Sequence, residues 1–287
     1  MAKSARLQTC QFSYGEFQPR CPRVYSVKAT EAVWGVDISD LMNRRALVTG
    51  GGSGIGEAIA RQLAAAGAHV MIGDIDTVAG AAVADSFGAK FVKLDVARED
   101  DWAAAMTALE AGLGGLDILV NNAGITIMGS IEDISLADFQ HTLDVDLIGV
   151  FLGCKAAIAL MKRDGGGAIV NISSTAGLKA SANLAAYNAA KAGVTLLTKS
   201  VALHCAEQRY GIRCNSVHPG VIRTPILDKV MAQVSDPEAL MAGFVAQHPI
   251  GNIGDTADIA DIVHYLVGPR AKFITGSAFV VDGGLIL

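Results

Sequence analysis

The chain has 287 residues, 51% of them hydrophobic, 18% charged and 6% aromatic, with 32 Gly and 7 Pro. That apolar content can fill a core and excludes global disorder, and the length suits one α/β domain. The net charge of −5, from 23 Lys+Arg against 28 Asp+Glu, leaves no basic field for DNA or RNA phosphates, so nucleic acid is not an expected partner.

Residues 1–41 place Arg6, Arg20, Arg23 and Lys28 among Phe, Tyr, Gln and Pro without helical or strand periodicity. A poorly ordered extension is expected. Glu16 is the only acid in the first 30 residues, so a mitochondrial-type presequence is the alternative, although its amphipathic Arg/Ser pattern is weak. A compact pattern starts at Met42, and residues 42–287 read as the folded domain.

From there short apolar runs alternate with longer amphipathic ones. Runs at 46–49, 69–73, 90–95, 118–121, 168–172, 213–218 and 278–282 have the near-continuous apolar character of strands covered on both faces. Between them Ile55, Ile59 and Leu63 recur every four residues, and Ile259, Ile262, Val263 and Leu266 follow helical spacing. The alternation predicts a single-domain Rossmann architecture: a doubly wound parallel sheet of about seven strands with helices on both faces. The longest apolar stretch, 145–161, is broken by Asp146 and Lys155 and is too short to span a bilayer, so no membrane partner is expected. Five cysteines without a C-x-x-C pair suit reduced thiols in a cytoplasmic setting. Six histidines without paired ligand spacing give no metal site.

Thr49-Gly50-Gly51-Gly52-Ser53-Gly54-Ile55-Gly56 lies between the first strand and its helix. Glycines there let the backbone approach a pyrophosphate whose charge rests on the helix N-terminus. A bland tight turn could use the same residues, but no Lys-Ser/Thr follows, which removes a Walker loop. Asp74 ends the second strand, where a carboxylate can accept both ribose hydroxyls of an adenosine and repel a 2′-phosphate. Neither Ser53 nor Ile75 supplies a compensating cation, so NAD is expected over NADP. Tyr187 and Lys191 stand one helical turn apart within a predicted helix at 183–209, and an ammonium held near a phenol favours the phenolate. Alone, such a pair is more often a solvated helix face.

Thr49–Gly56, Asn121-Asn122-Ala123-Gly124, Ser173-Ser174, Tyr187-x-x-x-Lys191, Pro219-Gly220 and Asp282-Gly283-Gly284 follow one another as in the short-chain dehydrogenase/reductase family, which residues 42–287 resemble. The resemblance implies that Tyr187 is the general acid/base, that Lys191 lowers the pKa of Tyr187 and holds the nicotinamide ribose, and that Ser174 hydrogen-bonds the substrate oxygen. It implies cofactor contacts from Gly50, Ser53, Gly54, Ile55, Gly56 and Asp74 at the pyrophosphate and ribose, and from Asp95 and Val96 at the adenine. Asn122, Ala123 and Gly124 would floor the groove, and Pro219, Gly220, Ile222 and Thr224 would grip the carboxamide. Asp146 departs from the pattern, standing where the family carries an asparagine that holds a water linking the lysine to solvent. A carboxylate can accept from such a water and favours a charged Lys191, so a relay with altered pH dependence is expected; satisfying local backbone is the plainer reading.

The resemblance also implies a homo-oligomer, tetramer or dimer, pairing helices 136–162 and 183–209 across a two-fold axis, and the apolar end at Leu285–Leu287 suggests further burial against another subunit. Asp138, His141 and Asp144 share a helical face that reads as solvated surface. Residues 225–249, with Met231, Val234, Leu240, Met241 and Phe244, read as a mobile helical substrate lid, plain core packing being the other possibility. Lys179 or Arg223 could meet a substrate carboxylate. The expected reaction is hydride transfer between NAD(H) and a hydrophobic or cyclic secondary alcohol or its ketone. A ketoacyl or hydroxysteroid reductase, or a dinucleotide-binding regulator without turnover, is the alternative.

Overall fold

The computed structural model describes residues 40–231 and 235–287, with the side chains of residues 226, 229 and 230 left aside. Most of the 1–41 extension, and Val234 of the expected lid, lie outside the described residues.

The first half alternates β1 (Arg45–Thr49), α1 (Gly54–Ala65), β2 (His69–Asp74), α2 (Thr77–Ser86), β3 (Lys90–Lys93) and α3 (Glu99–Leu113). Then β4 (Ile118–Asn121) leads to α4 (Leu136–Leu143), α5 (Gly149–Met161), β5 (Gly167–Ile172) and α6 (Ala185–Glu207). The chain finishes with β6 (Ile212–Pro219), α7 (Pro225–Met231), α8 (Pro237–Ala246), α9 (Thr256–Val267) and β7 (Ala278–Val281). All strand pairs are parallel, and the seven-stranded sheet has the order β3-β2-β1-β4-β5-β6-β7.

Alternation along each strand explains why both faces are covered. Ala46 and Val48 of β1 join Val70, Ile72, Val120 and Val170 in a core closed by Ile59 and Leu63 of α1 and Ile259 and Val263 of α9. Leu47 points the other way, joining Met71, Leu119 and Ile169 against Trp102 and Leu109 of α3, Ala157 of α5 and Val194 of α6. Burial on both sides is what makes these strands read as unbroken apolar runs. Among the described residues no helix is long and apolar enough to cross a membrane.

Two expectations need correction. The strand expected at 90–95 stops at Lys93, and the chain turns at Val96 and Ala97, where the Arg98 N–H donates to the Asp95 carbonyl at 3.0 Å. The helix expected over 136–162 is not uniform: Asp144–Ile148 widens into a π-turn between α4 and α5. Helical periodicity averages over such a turn, so sequence spacing cannot reveal it.

Candidate active site

Strand order reverses between β1 and β4, opening a crevice at their carboxyl ends. A cavity of about 660 Å³ lies there, within the size range of small-molecule and cofactor sites.

Its floor is the glycine loop after β1. Gly50 has φ +63°, and a Cβ there would stand 2.8 Å from Ala123 Cα. Asn122 fastens the loop, its Nδ2 donating to the carbonyls of Thr49 at 2.9 Å and Gly50 at 3.1 Å. Thr49 Oγ1 in turn accepts from the backbone N–H groups of Asn122 and Ala123, both at 3.0 Å. The first turn of α1 has no side-chain cap, since Ser53 makes no such bond. Uncapped N–H groups beside glycines too crowded for a Cβ are what a pyrophosphate requires. At the loop's rim Asp74 Oδ2 accepts from Gly52 N at 2.8 Å, and Oδ1 accepts from Asp76 N at 2.9 Å. Each oxygen keeps a lone pair for a further donor.

The opposite end of the cavity holds Ser174, Tyr187, Lys191 and Asp146. Tyr187 and Lys191 occupy successive turns of α6, with Lys191 Nζ 5.4 Å from the Tyr187 ring centre. Lys191 is 3% exposed and Asp146 wholly buried. Lys191 Nζ lies 3.2 Å from Asp146 Oδ2 and donates to the Ile172 carbonyl at 3.3 Å. Burial opposes the Lys191 charge, but Asp146 and Tyr187 outweigh it and hold the ammonium above the usual lysine range. Burial also pushes the Asp146 carboxyl up, against the pull of Lys191 and of the Ile125 N–H. Ser174 caps a short 3₁₀ turn, its Oγ accepting from Ala176 N at 3.1 Å. Ser173, just past the end of β5, donates its hydroxyl to the Lys191 carbonyl at 2.9 Å.

The cavity wall includes every residue expected at the site except Gly56. Gly56 is buried beneath the loop, where a Cβ would collide with the Gly50 carbonyl and Asn122; it lets the loop sit close on α1. The solvated reading of Asp138 and His141 holds, since both are exposed, while Asp144 is half-buried; His141 and Asp144 also stand on the open rim of the cavity. Lys179 donates to the Leu285 carbonyl at 3.2 Å, and Arg223 faces Asp255 at 3.9 Å.

Sequence reasoning missed His218. Its Nδ1 bonds the Ser174 carbonyl at 3.0 Å and its Nε2 pairs with the Ser216 hydroxyl at 2.8 Å, so it fixes the turn that carries Ser174. Burial holds this imidazole below its ordinary 6.5, favouring the neutral form. His218→Leu is expected to lower stability by about 1–3 kcal/mol, because it leaves two buried polar groups without their partner. A base whose pKa falls on folding contributes stability above its ordinary value and loses it as the pH falls through the folded value. The gap between wild type and variant in urea unfolding should therefore narrow below pH 6.5. A gap that widens there would contradict the neutral assignment.

The parallel sheet, the glycine loop at its switch point and the Tyr187–Lys191 pair beside it define an oxidoreductase of the dinucleotide-binding type. Comparison with known proteins agrees. A family model described as enoyl-(acyl carrier protein) reductase matches residues 50–286. The 3-alpha-(or 20-beta)-hydroxysteroid dehydrogenase of Mycobacterium tuberculosis (strain ATCC 25618 / H37Rv) is 41% identical over 248 residues, covering 86% of this chain and 90% of that one. The NADP-dependent (R)-specific alcohol dehydrogenase of Lentilactobacillus kefiri is 40% identical over 249 residues, covering 85% and 97%. The crystal structure of gox2181 aligns with a TM-score of 0.82 at 33% identity, covering 87% of this chain and 98% of that one. The chain belongs to the short-chain dehydrogenase/reductase family.

Proposed function

We propose that this oxidoreductase interconverts a secondary alcohol and its ketone with NAD(H), using Tyr187 as general acid/base. The observation that carries the reading is the convergence of Ser174, Tyr187 and Lys191 on the cavity that the glycine loop floors. When bound, the nicotinamide ring supplies the hydride chemistry. The chain's own residues handle the proton and the geometry. The Tyr187 oxygen takes the alcohol proton during oxidation and returns it during reduction. The Lys191 ammonium favours negative charge on that oxygen and would hold the nicotinamide ribose, and Ser174 Oγ would donate to the substrate oxygen. Asp95 and Val96 would flank the adenine, Asn122, Ala123 and Gly124 would form the floor, and Pro219, Gly220, Ile222 and Thr224 would hold the carboxamide.

NAD is favoured over NADP by charge. Asp74 stands at the loop rim beside exposed Ile75. Among the described residues Lys191 is the only lysine or arginine on the cavity wall, and it is paired with Asp146. A 2′-phosphate would meet an uncompensated carboxylate. Absorbance assays of both dinucleotides against linear and cyclic alcohols test the whole reading. NAD-dependent turnover is expected, and Asp74→Ala should lower the kcat/KM ratio of NAD over NADP by about 10–100-fold, the scale of a lost hydrogen bond to a charged group. Dinucleotide binding without turnover on any alcohol would favour a regulator, and an unchanged ratio would remove Asp74 from cofactor choice.

Apolar Ile125, Ile222 and Pro225 on the wall suit a hydrophobic or cyclic substrate, in keeping with the relatives that act on hydroxysteroids and alcohols. We read residues 225–249 as the segment covering the substrate: α8 buries none of its residues completely, and Leu240, Met241 and Phe244 are half-buried. Phe151 on α5 and Leu196 and Leu203 on α6 are exposed apolar side chains, which supports pairing of these helices in a homo-oligomer. Leu287 is likewise fully exposed. Cys154, Cys205 and Cys214 are free and buried thiols, as suits a cytoplasmic setting.

A further inference from the structure

We infer that Asp146 is a positioning residue that balances the charge of Lys191 and thereby sets the pH range over which alcohol is oxidised, an inference that rests on the acid/base reading of Tyr187. The π-turn brings the Asp146 side chain, fully buried, against Lys191 Nζ at 3.2 Å. Its Oδ1 accepts from the Ile125 N–H at 2.8 Å, and its Oδ2 has no aligned hydrogen bond and faces the ammonium. Both oxygens therefore look at donors. An amide at this position can accept from only one of them and must turn its own N–H toward the other. Gly124 closes the enclosure, since a Cβ there would stand 3.3 Å from Lys191 Nζ and 3.4 Å from both carboxylate oxygens. The enclosure suits a carboxylate held against a cation.

The consequence for Tyr187 follows from range and sign. Lys191 Nζ is 5.4 Å from the tyrosine ring centre, so the carboxylate lies within about 9 Å of it. At that range, with an effective dielectric near 20, one unit charge moves a neighbouring titration by about one pH unit. A carboxylate opposes a second negative charge. With Asp146 in place the carboxylate therefore offsets part of the help that the Lys191 ammonium gives to negative charge on the Tyr187 oxygen. The other titratable groups facing the pair are Tyr187 from α6, His141 from α4 and His218 from β6. Among the described residues Lys191 alone makes an ion pair with Asp146.

The test is the pH profile of kcat/KM for alcohol oxidation in wild type, Asp146→Asn and Asp146→Ser, with Tyr187→Phe as control. The rise of kcat/KM with pH is expected to move down by about one unit in both Asp146 variants. Should Asp146→Asn not fold, Asp146→Ser carries the same expectation. A profile that stays in place or moves up in a folded variant overturns the inference. A Tyr187→Phe enzyme as fast as wild type would instead overturn the acid/base reading, whatever the Asp146 variants do.

Discussion

Tyr187→Phe should lower kcat by about 10²–10⁴-fold, the range supplied by a positioned general acid/base. The ring stays and only the hydroxyl leaves, so packing on α6 is preserved. Dinucleotide affinity is expected to change little, because Gly50, Asn122 and Asp74 at the far end of the cavity are untouched. Steady-state rates with a binding titration on the same preparation would check both halves. Near-normal turnover would remove the phenol from the chemistry. A matching loss of dinucleotide affinity would assign it to binding instead.

Lys191→Met should harm both stability and rate. Removing one partner of a buried ion pair leaves the other without compensation, at about 3–5 kcal/mol. Here the stranded group is Asp146, wholly buried. Without the ammonium its carboxyl is easier to bury protonated, so the native state of the variant binds the extra proton. Stability then rises as the pH falls, and the deficit against wild type in denaturant titrations should narrow toward acid. Wild type behaves differently at the other end of the scale. Lys191 is held above its ordinary 10.5, so its contribution is complete below that value and is lost only as the pH climbs through the folded one. Turnover of Lys191→Met should also fall, since the charge that favours the phenolate is gone. A deficit independent of pH would mean that Asp146 does not carry the missing charge.

Much of the architecture was legible because the forces that set it are periodic. Ile118–Asn121 matches β4 residue for residue, since its apolar run Ile118–Val120, buried on both faces, is bounded sharply by Asp117 before it and by Asn121 and Asn122 after it. Ile59 and Leu63 face one core and mark α1 through their four-residue spacing. The cavity wall was legible for a different reason: Gly50, Asp74, Ser174, Tyr187 and Lys191 belong to ordered motifs. What escaped was set by contacts remote in sequence. His218 reaches a carbonyl 44 residues away, and nothing in its neighbours announces that bond. The widened turn after α4, which buries Asp146 beside Lys191, was equally hidden, because its contacts come from the segment after β4 and from α6 rather than from its neighbours in sequence.

That widened turn separates two tasks within one run of chain. A π-turn inserts about one residue beyond the regular pitch, so everything beyond it is rotated by roughly 100° relative to everything before it. The segment ahead of the bend can be fitted to the reaction chamber while α5 is fitted to the sheet and α3, and neither must compromise for the other. Deleting one residue between Asp144 and Ile148 should therefore act like turning a key: the helix would continue, but Asp146 and Val150 could no longer face their present neighbours together.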